Sequence, residues 1–125
     1  MDAAGEGFRR QAELGVPGIS IHVVDVSRGL VGAGMRVELL HGGKALLSGK
    51  ASGKGLLELN EKLAAGTYEA VFHVAQWYRE QRVPLPPTPF LDVVSYRFGI
   101  SDPEQHYHLP FKCTPWGYSC FRGGA

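Results

Sequence analysis

Hydrophobic and polar residues alternate along most of the chain after residue 15. In "GISIHVVDV" the apolar positions of one face are Ile19, Ile21 and Val23, while Ser20 and His22 lie on the other face. A period of two is typical of a β-strand that buries one side against a core. The segment therefore predicts a strand whose second face is available for other chemistry.

The same alternation recurs at short intervals and predicts an all-β protein. The further predicted strands are "MRVELL", "KALLSG", "LLEL", "GTYEAVFHV", "DVVSYRFGI", "QHYHLPFKC" and "YSCFR". Glycine- and proline-bearing turns such as "HGG" and "TPWG" separate them, which favours an antiparallel sandwich or barrel. "AQWYREQ" predicts a short helix of two turns, and "VPLPPTPF" predicts irregular structure because proline removes backbone donors. The expected inward residues of two of these strands are Met35, Val37, Leu39, Tyr68, Ala70 and Phe72.

Length and charge narrow the class of protein. The chain has 125 residues, 44% of them hydrophobic, which fits one domain with a real core. A formal charge of +1 gives no field that would attract nucleic acid or an acidic membrane. No apolar run has the length of a membrane span or the pattern of a signal peptide, so we expect a cytoplasmic protein. We expect residues 1–15 to be a polar, disordered lead-in and residues 16–125 to be the folded domain.

Two cysteines and a pair of histidines are the first candidates for chemistry. Cys113 and Cys120 flank a predicted turn, so the sequence leaves open whether they form a disulfide. His106 and His108 share a strand face, about 7 Å apart. They fit surface positions, a zinc site or proton transfer at neutral pH. No nearby Asp, Glu or Cys completes a metal shell, so neither a metal nor a cofactor is predicted.

Three segments bear a resemblance to a known family. "HYHLPFKCTPWGYSCFRGG" resembles the signature that ends 5-hydroxyisourate hydrolases, the transthyretin-related enzymes of urate breakdown. "ISIHVVDVSRGLVGAGMRVEL" and "GTYEAVFHVAQWY" are similar to the first and middle motifs of that family, and the resemblance covers Ile19 to Gly124. It implies a transthyretin-like, eight-stranded antiparallel β-sandwich of two four-stranded sheets, with a short helix after the fifth strand. It also implies a homotetramer, a dimer of dimers, with active sites in a central channel.

The resemblance also implies roles for individual residues. His22 and His108 fall on the family's catalytic histidines, and His106 falls on a supporting one. Lys54 stands where the family has an arginine, and Lys112 stands where it has a leucine, facing the channel by strand parity with His108.

The end of the chain departs from the family's Tyr-Arg-Gly-Ser. Phe121, Arg122 and Gly123 occupy its first three positions, and Gly124 replaces the serine. With Ser119 of "GYS", the predicted substrate-binding residues are His106, Lys112, Ser119, Phe121, Arg122 and Gly123.

Three functions remain open from the sequence. The first is the opening of a cyclic amide, 5-hydroxyisourate, by a water that His22 and His108 activate, with Lys54 stabilising the developing negative charge. The second is a related enzyme that acts on another small cyclic or anionic metabolite, for which Lys54 and Lys112 would select. The third is a binding protein without catalysis. In each case the partner is a small molecule.

Overall fold

The computed structural model describes residues 16–124. The expectation of a disordered lead-in at residues 1–15 lies outside the described residues, as does Ala125. The strands are β1 (Gly18–Asp25), β2 (Leu30–Val31), β3 (Arg36–His41), β4 (Lys44–Lys50), β5 (Leu56–Leu59), β6 (Gly66–His73), β7 (Val93–Ile100), β8 (His106–Thr114) and β9 (Gly117–Cys120), and the helix α1 is Val74–Glu80.

The strands form two sheets. In the first sheet one edge of β1 pairs with β8, and β8 pairs in turn with β9. Two short strands pair with different parts of the other edge of β1. β5 pairs with the first half of β1, and β2 pairs with its last two residues. The second sheet has the order β4-β3-β6-β7. The eight longer strands match the two four-stranded sheets that the resemblance implies, and β2 is an additional two-residue edge strand in the connection between β1 and β3.

One ladder of the first sheet departs from the antiparallel expectation. β1 and β8 run parallel in register from the pair Gly18 and His106 to the pair Asp25 and Cys113. Antiparallel neighbours can be joined by tight turns, whereas parallel strands need a crossover. β8 follows β7 of the other sheet, so the chain crosses between sheets before it reaches β1. No hairpin constrains the direction of β8, and the local alternation of residues does not reveal that direction.

The core lies between the two sheets and contains the alternating residues that the sequence indicates. The residues expected to face inward on β1, β3 and β6, together with Met35 just before β3, are all buried. Phe72 of β6 and Phe111 of β8 stack across the two sheets, with ring centroids 3.8 Å apart. Burial of a side chain of this size contributes about 1.5–3 kcal/mol. The period of two thus predicts which face of each strand is buried.

The helix α1 packs on the core and is tied to the end of β1. It has seven residues, as expected, and buries Val74, Ala75, Trp77 and Tyr78. The hydroxyl of Tyr78 donates to Asp25 at 2.8 Å, and Arg28 Nε donates to the same carboxylate at 2.6 Å. No helix among residues 16–124 is long and apolar enough to cross a membrane.

The two cysteines are both free thiols. In the register of β8 and β9, Cys113 lies opposite Tyr118, and Cys120 lies opposite Phe111. The cysteines are therefore offset along the ladder instead of facing each other. The structure answers the open question of a disulfide in favour of two thiols.

Candidate functional site on the outer face of the first sheet

Three histidines and a serine share the face of the first sheet that points away from the core. On β8 the residues Tyr107 and Leu109 are buried in the core, so His106 and His108 project to the opposite side. On β1 the residues Ile19 and Ile21 face the core, which places Ser20 and His22 on the outer side. In the parallel ladder Ser20 lies beside His108, and His22 lies beside Pro110, the next residue of β8 on that face.

The hydroxyl of Ser20 lies between two imidazole rings. Ser20 Oγ is 2.9 Å from Nε2 of His106 and 2.8 Å from Nδ1 of His108. Nδ1 of His106 is in turn 3.1 Å from the carbonyl oxygen of Val16. Ser20 has no exposed surface, His106 is 7% exposed, and His108 is half-buried. A continuous line of hydrogen bonds therefore runs from the backbone before β1 to His108.

The surroundings of His108 favour its neutral form. The pKa of His108 is lowered to about 4, first by burial and then by the neighbouring His22 and His106, while a hydrogen bond with the backbone of Ser20 opposes the shift. Burial also lowers the pKa of His106, against the hydrogen bond with Val16 and the nearby carboxylate of Glu58. Both rings are therefore uncharged at neutral pH, the form in which an imidazole accepts a proton.

The C-terminal segment closes over one edge of His108. The backbone N–H of Gly123 donates to the carbonyl of His108 at 2.7 Å. A Cβ at Gly123 would lie 2.7 Å from Cγ of Pro110, and one at Gly124 would lie 3.2 Å from Cβ of His108. Gly124 also has φ +82°, a conformation that favours glycine. The glycines thus allow the chain to lie directly against the imidazole.

Arg122 points away from the histidines. Its guanidinium lies 4.1 Å from the ring centroid of Tyr107, which is a core residue of β8. It also donates to Gln105 Oε1 at 2.9 Å and to the carbonyl of His106 at 3.5 Å. These contacts hold the C-terminal segment against the start of β8, so Arg122 acts on the histidine face through the backbone that it anchors.

The other predicted substrate-binding residues lie farther along the same face. Lys112 is exposed and pairs with Ser119 of β9. Its ammonium group is 5.8 Å from the ring centroid of Phe121, which is 44% exposed. Lys112 is four residues beyond His108, about 13 Å along the strand. These three residues form a separate, cationic and aromatic end of the face.

Lys54 lies at the edge of the first sheet. It occupies the exposed turn before β5, and its backbone N–H donates to Ser52 Oγ at 3.2 Å. Leu56, two residues later, pairs with His22. The structure thus brings His22, His106 and His108 together on one face and places Lys54 on a neighbouring turn.

Two residues of the site were missed by sequence reasoning. Strand parity places Ser20 on the same face as His22, but its position beside His108 depends on pairing between segments 88 residues apart. Glu58 lies opposite Ser20 on β5, and its charge opposes the lowering of the pKa of His106. The only sequence signal for either residue is strand parity, which gives a face but no partner.

Comparisons with known proteins agree with this architecture. The 5-hydroxyisourate hydrolase of Deinococcus radiodurans is 38% identical over 117 residues, which cover 87% of this chain and 98% of the relative. The structure of Klebsiella pneumoniae 5-hydroxyisourate hydrolase matches with a TM-score of 0.76 and 25% identity, over 86% of this chain and 99% of that chain. The structure of (S)-allantoin synthase matches with a TM-score of 0.77 and 27% identity, over 86% of this chain and 43% of that chain.

The sheet order, the short helix and these structural matches define a transthyretin-like β-sandwich. The chain belongs to the HIUase/Transthyretin family, whose sequence profile matches residues 19–123. The resemblance drawn from the sequence motifs is therefore confirmed, and so is the predicted fold class.

Proposed function

We propose that this chain is an enzyme that hydrolyses 5-hydroxyisourate in urate degradation. The observation that carries the proposal is the cluster of His22, Ser20 and His108 on one sheet face, with His108 held neutral by its surroundings. Full-length relatives in the family bear the name of this activity. A neutral imidazole beside a second histidine is suited to moving a proton from water to a leaving group.

The reaction needs one water and one proton transfer in each direction. Nε2 of His108 takes a proton from the water, and the water oxygen bonds to a ring carbonyl carbon beside an amide nitrogen. The carbon–nitrogen bond then breaks, and the nitrogen receives the proton back from His108. We assign His22 to hold the water and Lys54 to stabilise the negative charge that develops on the carbonyl oxygen.

The remaining predicted residues receive binding roles in this proposal. Gly123 allows the C-terminal segment to lie against Pro110 and His108, and Arg122 anchors that segment. His106 supports His108 through Ser20. The end of the face with Lys112, Ser119 and Phe121 contacts the part of the substrate that is distant from the reacting carbonyl.

We further propose that four copies assemble as a dimer of dimers. In a single chain Lys112 and Phe121, farther along the same sheet face as the histidines, are exposed. A second copy against this face would exclude water from the reaction, which strengthens the electrostatic interactions inside. Light scattering at micromolar concentration should give the mass of a tetramer, and a uniform monomer would contradict the assembly. A cytoplasmic location stays a prediction from the sequence.

The activity can be tested directly. 5-Hydroxyisourate generated from urate with a urate oxidase should disappear much faster in the presence of the wild-type protein than without it, as followed by ultraviolet absorbance. The His22→Gln variant should be slower by about 10²-fold or more if His22 holds the attacking water. A wild type that leaves the spontaneous decay unchanged would contradict the proposed function.

A second candidate function is favoured by the cationic end of the face. Lys112 offers an exposed positive charge beside an aromatic ring, an arrangement that suits an anionic substrate other than 5-hydroxyisourate. Under this alternative the wild type is slow on 5-hydroxyisourate, and Lys112→Leu raises that rate. A fast wild type that Lys112→Leu leaves unchanged would reject the alternative.

A further inference from the structure

The side chain of Ser20 contacts the rings of both histidines of β8. Its hydroxyl carries a single hydrogen, so it donates one hydrogen bond and accepts others. It lies within hydrogen-bond distance of Nε2 of His106 and Nδ1 of His108. The direction of these two bonds determines which nitrogen of His108 carries the proton.

The direction follows from the far end of the line of hydrogen bonds. The carbonyl of Val16 only accepts, so the bond of 3.1 Å to Nδ1 of His106 requires a proton on that nitrogen. In the neutral ring Nε2 is then an acceptor, and Ser20 must donate its hydroxyl hydrogen to it. Ser20 therefore accepts from His108, whose Nδ1 must carry the proton.

We propose that Ser20 is a positioning residue that fixes His108 in the tautomer with a proton on Nδ1 and an acceptor lone pair on Nε2. Nδ1 of His108 faces β1, and the Cδ2 edge faces Gly123 and Gly124. Nε2 therefore lies at the outer end of the ring, on the side of the C-terminal segment. The lone pair of Nε2 therefore lies on the outer face of the sheet, where the proposed function requires a base. The effect of Ser20 on catalysis rests on that proposed function.

The hydrogen-bond line also explains the burial of two polar groups. Ser20 is fully buried and His106 nearly so, and an unsatisfied buried polar group costs about 1–3 kcal/mol. Here each polar atom of the line has a partner of the correct kind. The ionisable groups that face the cluster are His22 on β1, Glu58 on β5 and His106 on β8. Protonation of His106 would reverse the direction of its hydrogen bond with Ser20. The proposed tautomer of His108 therefore requires a neutral His106.

Nuclear magnetic resonance can read the tautomer without any substrate. Two-bond ¹H–¹⁵N spectra of the whole, uniformly labelled protein distinguish a protonated imidazole nitrogen from an acceptor one. In the wild type at pH 7 we expect the Nδ1–H form for both His106 and His108. An Nε2–H form of His108 in the wild type would overturn the proposal. His108→Gln and His106→Gln spectra assign the signals.

Substitutions then separate positioning from structural support. Ser20→Ala should shift His108 away from the pure Nδ1–H form and lower kcat by about 10- to 100-fold, with a smaller effect on KM, as loss of an orienting partner typically does. Ser20→Thr keeps the hydroxyl and should retain the tautomer and most of kcat. The matched control is Ser95→Ala, which removes a hydroxyl that donates to Glu69 on the second sheet. It should change neither the tautomer nor kcat.

The outcomes also separate this inference from the proposed function. A folded Ser20→Ala protein with an unchanged tautomer and unchanged kcat would overturn the positioning role. If Ser20→Ala does not fold, a Ser20→Thr protein that loses the Nδ1–H form of His108 would overturn it as well. If the tautomer responds to Ser20 while the wild type fails to hydrolyse 5-hydroxyisourate, the proposed function fails and the control of His108 by Ser20 stands.

Discussion

His108 on the first sheet and His73 on the second both project from the outer face of a strand, yet their surroundings differ. Nε2 of His73 lies 2.7 Å from a carboxylate oxygen of Glu38, and both side chains are partly exposed. His108 is instead bonded to a neutral hydroxyl and lies near two other imidazoles. Burial and the neighbouring imidazoles lower the pKa of His108 and so disfavour its protonated form.

The polar contacts on the rest of the second sheet also differ from those around His108. On the outer face of that sheet Glu69 lies opposite Arg97 in the strand register, and the hydroxyl of Ser95 donates to Glu69. On the first sheet the hydroxyl of Ser20 instead connects the rings of His106 and His108 by hydrogen bonds. The comparison teaches that the neighbouring groups, and not the strand position alone, decide whether an outward histidine is suited to accept a proton.

The largest expected effect is on catalysis. His108→Gln should lower the rate of 5-hydroxyisourate hydrolysis by about 10²–10⁴-fold, the usual contribution of a general base. His73→Gln makes the same chemical change on the other sheet and should leave the rate close to that of the wild type. The test is the spectrophotometric rate of the wild type and of the two variants, with circular dichroism to verify that each protein is folded. Equal losses in both variants would contradict the assignment of the site to the first sheet.

The pH dependence should show an intermediate effect. Because the pKa of His108 is lowered to about 4 from an ordinary 6.5, its basic form persists in the folded protein well below pH 6. The acidic limb of kcat/KM should therefore lie nearer pH 4 than pH 6.5. A limb at the ordinary histidine value would contradict a neutral, buried His108.

The lowered pKa of His108 should also make the folded protein less stable as the pH falls. Below about pH 6.5 the unfolded chain binds a proton at His108 that the folded chain excludes until about pH 4. The stability that His108 confers is thus fully present above pH 6.5 and is lost as the pH falls toward 4. Urea unfolding from pH 7 to pH 4.5 should show a decline that is smaller in His108→Gln than in His73→Gln.

The smallest expected effect concerns the contact between Glu38 and His73 on the second sheet. Glu38→Gln removes the charge beside His73, and partly exposed pairs of this kind contribute about 0–1 kcal/mol. The free energy of unfolding at pH 7 should fall by less than about 1 kcal/mol, and hydrolysis should be unaffected. Urea denaturation measures the first quantity, and a loss of several kcal/mol would show that the second sheet depends on this contact.

The alternating sequence by itself determined which residues enter the core and which face of each strand carries the histidines. Side chains in a strand alternate between two faces whatever the partners of that strand are. For this reason Ile19, Phe72 and the shared face of His106 and His108 could all be predicted. The helix and the proline-rich connection were equally local, because proline and helical spacing act over a few residues.

Only the tertiary structure decided which strands meet and in what register. The parallel pairing of β1 with β8 places Ser20 beside His108, and it arises from a crossover between sheets that no local pattern records. The turn of Arg122 onto Tyr107 likewise depends on where the C-terminal segment lies along β8. Register is set by hydrogen bonds and packing between segments far apart in the chain, so parity could assign the histidines to a face but could not supply the partner that orients His108.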